Sequence, residues 1–254
     1  MLDLPERSLK PRKSGLTAMI DFGPDAFGWT GPRGVADLLE CAAEYIDFAK
    51  IYALNSLLLP AAIVAEVVRH YRDAQVLPYS GGILFEYALR RNELDNLAPF
   101  LRKLGFPALE ISENYAELAE DERGRVIERF QREGFTVIYE FGRKNPVRPM
   151  DVGELRSVVK WAADCGVEHV IVEQSEIDAL EKAAPGALAC ARGESWFQSI
   201  LIEADPYRFP QQHAKMLADY GNDVNLANVA QGQVLRLEGL RRGIGRAVDY
   251  ALLR

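Results

Sequence analysis

The sequence predicts an α/β protein, a (β/α)8 TIM barrel with an irregular sixth connection, and three observations carry that reading. Short apolar runs recur along the chain and end on polar or charged residues. Helical apolar patterns separate them. The 254 residues match the usual size of one such barrel with a single core. Parallel strands are buried on both faces, so they read as continuous apolar runs. A carboxylate at the end of such a strand is costly unless it meets a polar site. Polar ends on all the strands therefore describe one ring, the C-terminal face of the barrel, better than the single crevice of an open doubly wound sheet.

Taken in order, residues 1–15 are rich in Lys, Arg and Pro, lack periodicity, and read as a loose basic N-terminal arm. Residues 16–254 then form one domain. Thr17–Ile20 ends on Asp21, and Tyr45–Ala49 ends on Lys50. The weaker run Gln75–Tyr79 leads into Ser80-Gly81-Gly82, and Ala108-Leu109 leads to Glu110 and Ser112. Thr136–Tyr139 ends on Glu140, Val170–Val172 on Glu173, Ile200–Ile202 on Glu203, and Val224–Ala227 on Asn228. Helical spacing covers Val35–Ala43, Ala61–Tyr71, Leu94–Leu104, Asp121–Glu133, Asp151–Cys165, Pro210–Tyr220 and Gly232–Arg241. Asp151 with Glu154 forms a variant capping pair. Gly105, Gly134, Gly166 and Gly221 fall where helices stop, as left-handed C-caps prefer. The rhythm falters at Ala179–Ala191, where Pro185 and Gly186 break the helix.

Composition narrows the function classes. A net charge of −7 argues against a general nucleic-acid or acidic-membrane surface. Cys41, Cys165 and Cys190 lie far apart with no C-x-x-C, which suggests reduced thiols and a cytoplasmic setting. Cys41 and Cys165 sit in helical apolar patterns and are expected to be buried. No apolar stretch reaches the length of a membrane span. A small anionic substrate and a homo-oligomeric state are expected, with no nucleic-acid or membrane partner.

The strand ends suggest the chemistry. Glu140, Glu173 and Glu203 close consecutive strands, and Glu110 with Asp21 can join them across the ring. Carboxylates so placed repel unless one takes a proton or a cation sits among them, and Mg2+ suits oxygen ligands. The alternative is an ion network with Lys50, Arg143 or Lys144. Lys50 follows a buried strand with its ammonium aimed into the ring, fit for a general acid, a clamp or a Schiff-base nucleophile. A plain salt bridge is its alternative. Gly81-Gly82 after a strand lets backbone N–H groups approach an anion, but also suits a tight turn. Asn225, Asn228 and the run Arg241-Arg242-Gly243-Ile244-Gly245-Arg246 follow the last strand, where barrels commonly hold phosphate. A solvated basic helix end explains that run equally. His70, His169 and His213 lack zinc-ligand spacing.

Several of these residues form a set. Lys50-x5-Ser56, Gly81-Gly82-x-Leu84-Phe85-Glu86, Glu110-Ile111-Ser112, Glu140-x-Gly142-x-Lys144, Glu203-Ala204, Val224-Asn225-Leu226-Ala227-Asn228 and Leu237-Glu238-x-Leu240-Arg241-Arg242-Gly243 occur in one order. In that order and spacing the chain resembles the phosphosulfolactate synthase family from about Leu16 to Arg246. The resemblance implies a Mg2+-dependent addition of sulfite to phosphoenolpyruvate through a metal-stabilised enolate. It implies Lys50, Asp21 and Glu140 as catalytic residues and Glu110, Glu140, Glu173 and Glu203 as metal ligands. Asn55, Ser56, Gly81, Gly82, Ser112, Lys144, Asn225, Asn228, Arg241 and Arg242 are then the substrate-binding candidates.

The chain departs from the family's pattern at the rim. Where the family typically reads Asp-Lys-Gly, this chain has Asp21-Phe22-Gly23. Tyr52 and Leu54 stand for two glycines, Ile83 for a threonine, and Ser175 for an arginine. The loss of two cations suggests altered specificity, with a smaller anionic load and a more apolar partner. The resemblance also extends to a plant heat-stress-associated branch thought to act through protein partners, which supplies a non-catalytic alternative.

Overall fold

The computed structural model describes residues 3–25 and 31–245. Eight parallel strands close into a barrel in sequence order. They are β1 Thr17–Asp21, β2 Phe48–Ile51, β3 Leu77–Ser80, β4 Ala108–Ile111, β5 Thr136–Phe141, β6 Val170–Val172, β7 Ile200–Glu203 and β8 Leu226–Ala230. Around them run α1 Pro32–Ala42, α2 Asn55–Leu58, α3 Ala61–Asp73, α4 Gly82–Arg90, α5 Leu94–Leu104, α6 Glu120–Arg132 and α7 Val152–Asp164. The circuit finishes with α8 Gln174–Ala183, α9 Ala187–Cys190, α10 Gln211–Tyr220 and α11 Val234–Arg241. Asp151 caps α7, accepting from the Gly153 and Glu154 amides. The sixth connection is broken as expected: α8 stops before Pro185, and α9 starts after Gly186 at φ +76°.

Alternation along the strands decides what faces inward. One phase fills the barrel with Ala18, Phe48, Tyr79, Ala108, Ile138, Ile171, Leu201 and Ala227. The other phase, including Met19, Ala49, Leu109, Val137, Val172 and Ile202, packs against the helices. Wholly buried side chains such as Leu101 and Ile127 each contribute about 1.5–3 kcal/mol by leaving water. Counting by twos from the inward set places Lys50, Glu110, Glu140, Glu173 and Glu203 inside, one layer above the apolar floor. The same count turns Asp21 outward.

Two expectations change. The N-terminal arm lacks regular structure but is not loose. Arg7 Nε pairs with Glu238 at 3.1 Å, Arg12 Nε with Asp47 at 3.2 Å, and Gly15 N donates to Asp223 O at 2.6 Å. These contacts dock it beneath the N-terminal end of the barrel. Cys41 is exposed and Cys165 only half-buried, because each sits at the edge of its helix's apolar stripe; all three thiols are free. Among the described residues no helix is long and apolar enough to cross a membrane.

Candidate active site

Lys50 stands at the centre of the ring. Its Nζ lies 3.0 Å from Glu110 Oε2, 3.3 Å from Glu140 Oε2 and 3.5 Å from Glu203 Oε1. β2, β4, β5 and β7 deliver these four side chains from around the barrel. Beside them Lys144, on the loop after β5, reaches Glu173 Oε2 at 2.6 Å. Four carboxylates thus face two ammonium groups, and the cluster carries a formal surplus of two negative charges.

Neutral donors hold each carboxylate in place. Gly82 N donates to Glu110 Oε1 at 2.7 Å, and Asn114 Nδ2 donates to Glu140. Asn228 Nδ2 donates to Glu203, while Ser175 N and Oγ sit 3.4 Å from Glu173 Oε1. Asn228 points inward because β8 carries a bulge: the register to β1 shifts there, and Asn228 takes φ +57°. Asn114 arrives through Glu86. That carboxylate accepts from Ser112 Oγ and from the amides of Asn114, Tyr115 and Ala116, fixing the loop after β4.

Burial and mutual repulsion perturb the cluster. Burial raises Glu110 to about 7, against the pull of Lys50. It raises Glu203 to about 8, again opposed by Lys50 and aided by Glu140 and Glu173. Glu140 ends below the usual carboxylate range, because Lys50 and Lys144 outweigh its burial. Lys50 is held well above its ordinary value: Glu110, Glu140 and Glu203 together overcome the desolvation that would lower it. The surrounding carboxylates favour the charged ammonium, which suits a clamp or a proton donor better than a neutral Schiff-base nucleophile. Tyr79, the inward neighbour of Lys50 on β3, leaves its buried hydroxyl without a hydrogen-bond partner among the described residues.

Three buried carboxylates, Glu140, Glu173 and Glu203, offer oxygens within 4.8 Å of one another. An all-oxygen, acidic donor set of this kind fits Mg2+, and a divalent cation equals the surplus charge. Glu110 lies outside that trio; its oxygens meet Gly82 and Lys50.

Several expected residues lie elsewhere. Asp21 faces α3, where it accepts from Tyr71 Oη and Gly23 N at 2.7 Å each. The outward phase of β1 takes it out of the ring. Asn225 and Arg241 belong to the opposite end of the barrel. Asn225 Oδ1 accepts from Leu16 N at 2.9 Å, and Arg241 donates to Val224 O at 2.8 Å and Leu16 O at 3.4 Å. A helix that follows a strand runs back down, so α11 ends at the bottom and carries Arg241 and Arg242 with it. Arg242 pairs with Glu238 at 2.7 Å and donates to Pro5 O. Arg246 lies outside the described residues.

The glycine pair is no open anion cradle. Gly81 N donates to Ile51 O at 3.1 Å, and Gly82 N serves Glu110. A Cβ on Gly82 would collide with Ser112 and the Glu110 carboxylate, so packing explains that glycine. Ser112 is spent on Glu86, and Asn55 Nδ2 donates to Phe22 O at 2.7 Å across the rim. Ser56 is buried in α2. Phe22 and Tyr52 pack ring to ring, centroids 4.9 Å apart, on the β1–β2 side of the mouth. Sequence reasoning overlooked Asn114 and the anchoring role of Glu86; a carboxylate buried within an apolar helix face was the available signal for Glu86. On the β5 side a cleft of about 460 Å3 opens beside Glu140, lined by Arg143, Arg148, Met150 and Glu176.

With this geometry in view, the comparisons are specific. Residues 5–246 match the sequence model of the family described as (2R)-phospho-3-sulfolactate synthase (ComA). Phosphosulfolactate synthase from Methanothermobacter thermautotrophicus is 32% identical over 251 residues, covering 94% of this chain and 93% of that protein. The phosphosulfolactate synthase of Methanocaldococcus jannaschii is 31% identical over 241 residues, covering 91% and 92%. Among solved structures, deoxyribose phosphate aldolase from Aeropyrum pernix superposes with a TM-score of 0.53 at 12% identity, covering 90% of this chain and 91% of that one. That likeness concerns the barrel fold alone.

Proposed function

The chain belongs to the (2R)-phospho-3-sulfolactate synthase (ComA) family and is a lyase-type synthase, and from that premise we propose a Mg2+-dependent enzyme of altered specificity. It would add a nucleophile to a phosphoenolpyruvate-like acid, or eliminate one, at the carbon beside an enolate. The observation that carries the proposal is the Lys50 ammonium set among Glu110, Glu140 and Glu203. Glu140, Glu173 and Glu203 would hold the metal, which when bound would stabilise negative charge growing on substrate oxygens.

The protein's own groups do the rest. Lys50 is pinned by carboxylates from three strands, so it needs little reorganisation to meet an oxyanion or deliver a proton. Lys144 supplies a second cation at the rim, 39% exposed and so open to an anionic group. The Phe22–Tyr52 pair supports the altered specificity, since an aromatic wall stands where the family's pattern has a lysine and a glycine. The cleft beside Glu140 adds room for a nucleophile with an organic body; its volume falls within the usual range for small-molecule sites, about 300–1,000 Å3.

The test is turnover of phosphoenolpyruvate with a panel of nucleophiles in Mg2+, comparing wild type with Lys50→Ala. We expect activity with at least one nucleophile, lowered by about two to four decades in the variant, the usual worth of a positioned acid. Equal rates in a folded Lys50→Ala protein would reduce Lys50 to a structural ion pair.

A further inference from the structure

A second charged cluster lies at the other end of the barrel, far from the catalytic ring. The docked arm, the segment before β2 and the turn before β3 enclose a cleft of about 670 Å3. Arg7, Lys10, Arg12 and Arg242 line it, with Tyr45 and Ala74 among its apolar surfaces. Arg241 stands close behind: burial first, then the charges of Arg7 and Arg12, lower its guanidinium to about 9. Burial likewise lowers Lys10 to about 8, with Asp47 opposing and Arg12 assisting.

The acids do not balance this cluster. Arg7 and Arg242 share one carboxylate, Glu238, and Arg12 pairs with Asp47. Lys10 Nζ donates to a carbonyl, that of Gln75, at 3.1 Å, and has no ion pair among the described residues. Arg241 likewise donates to carbonyls. Glu6 and Glu44 also line the cleft, but both are exposed, where solvent screens them. Arg12 is the telling residue. Its side chain is 3% exposed; Nε pairs with Asp47 and Nη2 donates to Glu44 O, but Nη1 finds no hydrogen-bond partner among the described residues. A buried guanidinium nitrogen left without an acceptor is costly. Five cations here face four carboxylates, two of them the exposed Glu6 and Glu44, so on a chain of net charge −7 the cluster keeps a small positive surplus.

We propose that this lower cleft binds a small phosphorylated metabolite, its phosphoryl oxygens on Arg12 and Lys10 and its organic body against Tyr45 and Ala74. Arginine's fork suits phosphoryl oxygens, and the volume suits a small molecule rather than a lone ion. Because the ligand would join the arm to the barrel, its binding stabilises the docked arm.

Inorganic pyrophosphate, without Mg2+ and at ionic strength matched with NaCl, is the probe. The readouts are melting temperature and titration calorimetry on the full chain. We expect millimolar pyrophosphate to raise the melting temperature above the NaCl control. Affinity should fall about tenfold or more in Lys10→Ala and Arg12→Ala, the worth of a charge-assisted contact. In Lys144→Ala, at the catalytic end, the component of binding that Lys10→Ala removes should persist. If Arg12→Ala fails to fold by far-ultraviolet circular dichroism, Lys10→Ala decides alone. No effect beyond NaCl overturns the site. An effect lost in Lys144→Ala but kept in Lys10→Ala assigns pyrophosphate to the catalytic ring and overturns it too. A response to citrate but not pyrophosphate overturns the phosphoryl assignment.

Discussion

Lys144 Nζ and Glu173 Oε2 meet at 2.6 Å, and they come from neighbouring strand ends, one after β5 and the other after β6. Glu173 is buried while Lys144 is 39% exposed, so the pair joins the sealed acidic cluster to solvent. An incoming anion can draw Lys144 toward itself and free Glu173 for a cation. Under the proposed function, the rim lysine and the buried glutamate would exchange partners when substrate and metal bind together.

Metal should be visible without turnover. Mg2+ at about a hundredfold excess over Kd stabilises a native site by about 2.7 kcal/mol, worth several degrees of melting temperature in a chain of this size. Glu140→Gln and Glu173→Gln should each remove the response while the barrel stays folded. Thermal denaturation with and without Mg2+ checks this; an undiminished shift in both variants would move the metal elsewhere.

Specificity is the next expectation. Phe22 and Ser175 stand where the family's pattern has cations, and Ser175 lies against Glu173. Each missing charge-assisted contact costs about 1.5–3 kcal/mol, so the two losses together slow phosphoenolpyruvate plus sulfite by roughly two to four decades. Phe22→Lys with Ser175→Arg should recover part of that rate. Wild-type turnover at ordinary enzymatic speed, measured as phosphosulfolactate formed, would refute the altered specificity.

Arg241 should matter to stability and not to chemistry. Arg241→Met strands the buried Val224 carbonyl and takes a donor from those of Asn222 and Leu16, although Leu16 keeps Leu226 N. Leaving that one buried carbonyl unpaired costs about 1–3 kcal/mol, so the urea midpoint should fall while kcat stays within about twofold. A large fall in kcat with unchanged stability would return Arg241 to substrate binding.

His213 should make the protein acid-sensitive. Burial, with a smaller push from Arg241, lowers it to about 4, and neither ring nitrogen has a hydrogen-bond partner among the described residues. Its folded value lies below the ordinary 6.5, so on acidification the unfolded chain takes the proton first. Its contribution is therefore complete above about pH 6.5 and drains away down to about pH 4, roughly 3 kcal/mol in all. His213→Leu should be relatively more stable at pH 4.5 than at pH 7.5. Denaturant titrations of both proteins at the two pH values give that difference; parallel losses would acquit His213.

Much of this arrangement is legible in the sequence, and what is not has definite causes. Polar strand ends reveal the ring because a buried parallel strand admits a carboxylate only at a site. They do not reveal phase. Asp21 and Lys50 both close apolar runs, yet one register step turns Asp21 onto Tyr71 and Lys50 into the barrel. Asn225 is misread for a related reason: β8 starts at Leu226, later than its apolar run suggests. Arg241 could have been placed correctly, since the end of a returning helix lies at the bottom of a barrel. Glu86 and Asn114 become intelligible only through contacts spanning 28 residues of chain, beyond the reach of any local pattern.

The clamp on Leu16 bears on how the molecule survives. Asn225 takes its amide and Arg241 its carbonyl, so a single residue near the start is gripped by side chains from near the end. Until the last strand arrives, β1 presents a bare edge, and bare edges recruit strands from other chains. Such distant pairing is also slow to form. A chain cut before β8 would therefore leave that edge of β1 open to strands from other chains. β8 thus closes the last edge of the ring, and Asn225 and Arg241 hold the first strand to it at Leu16.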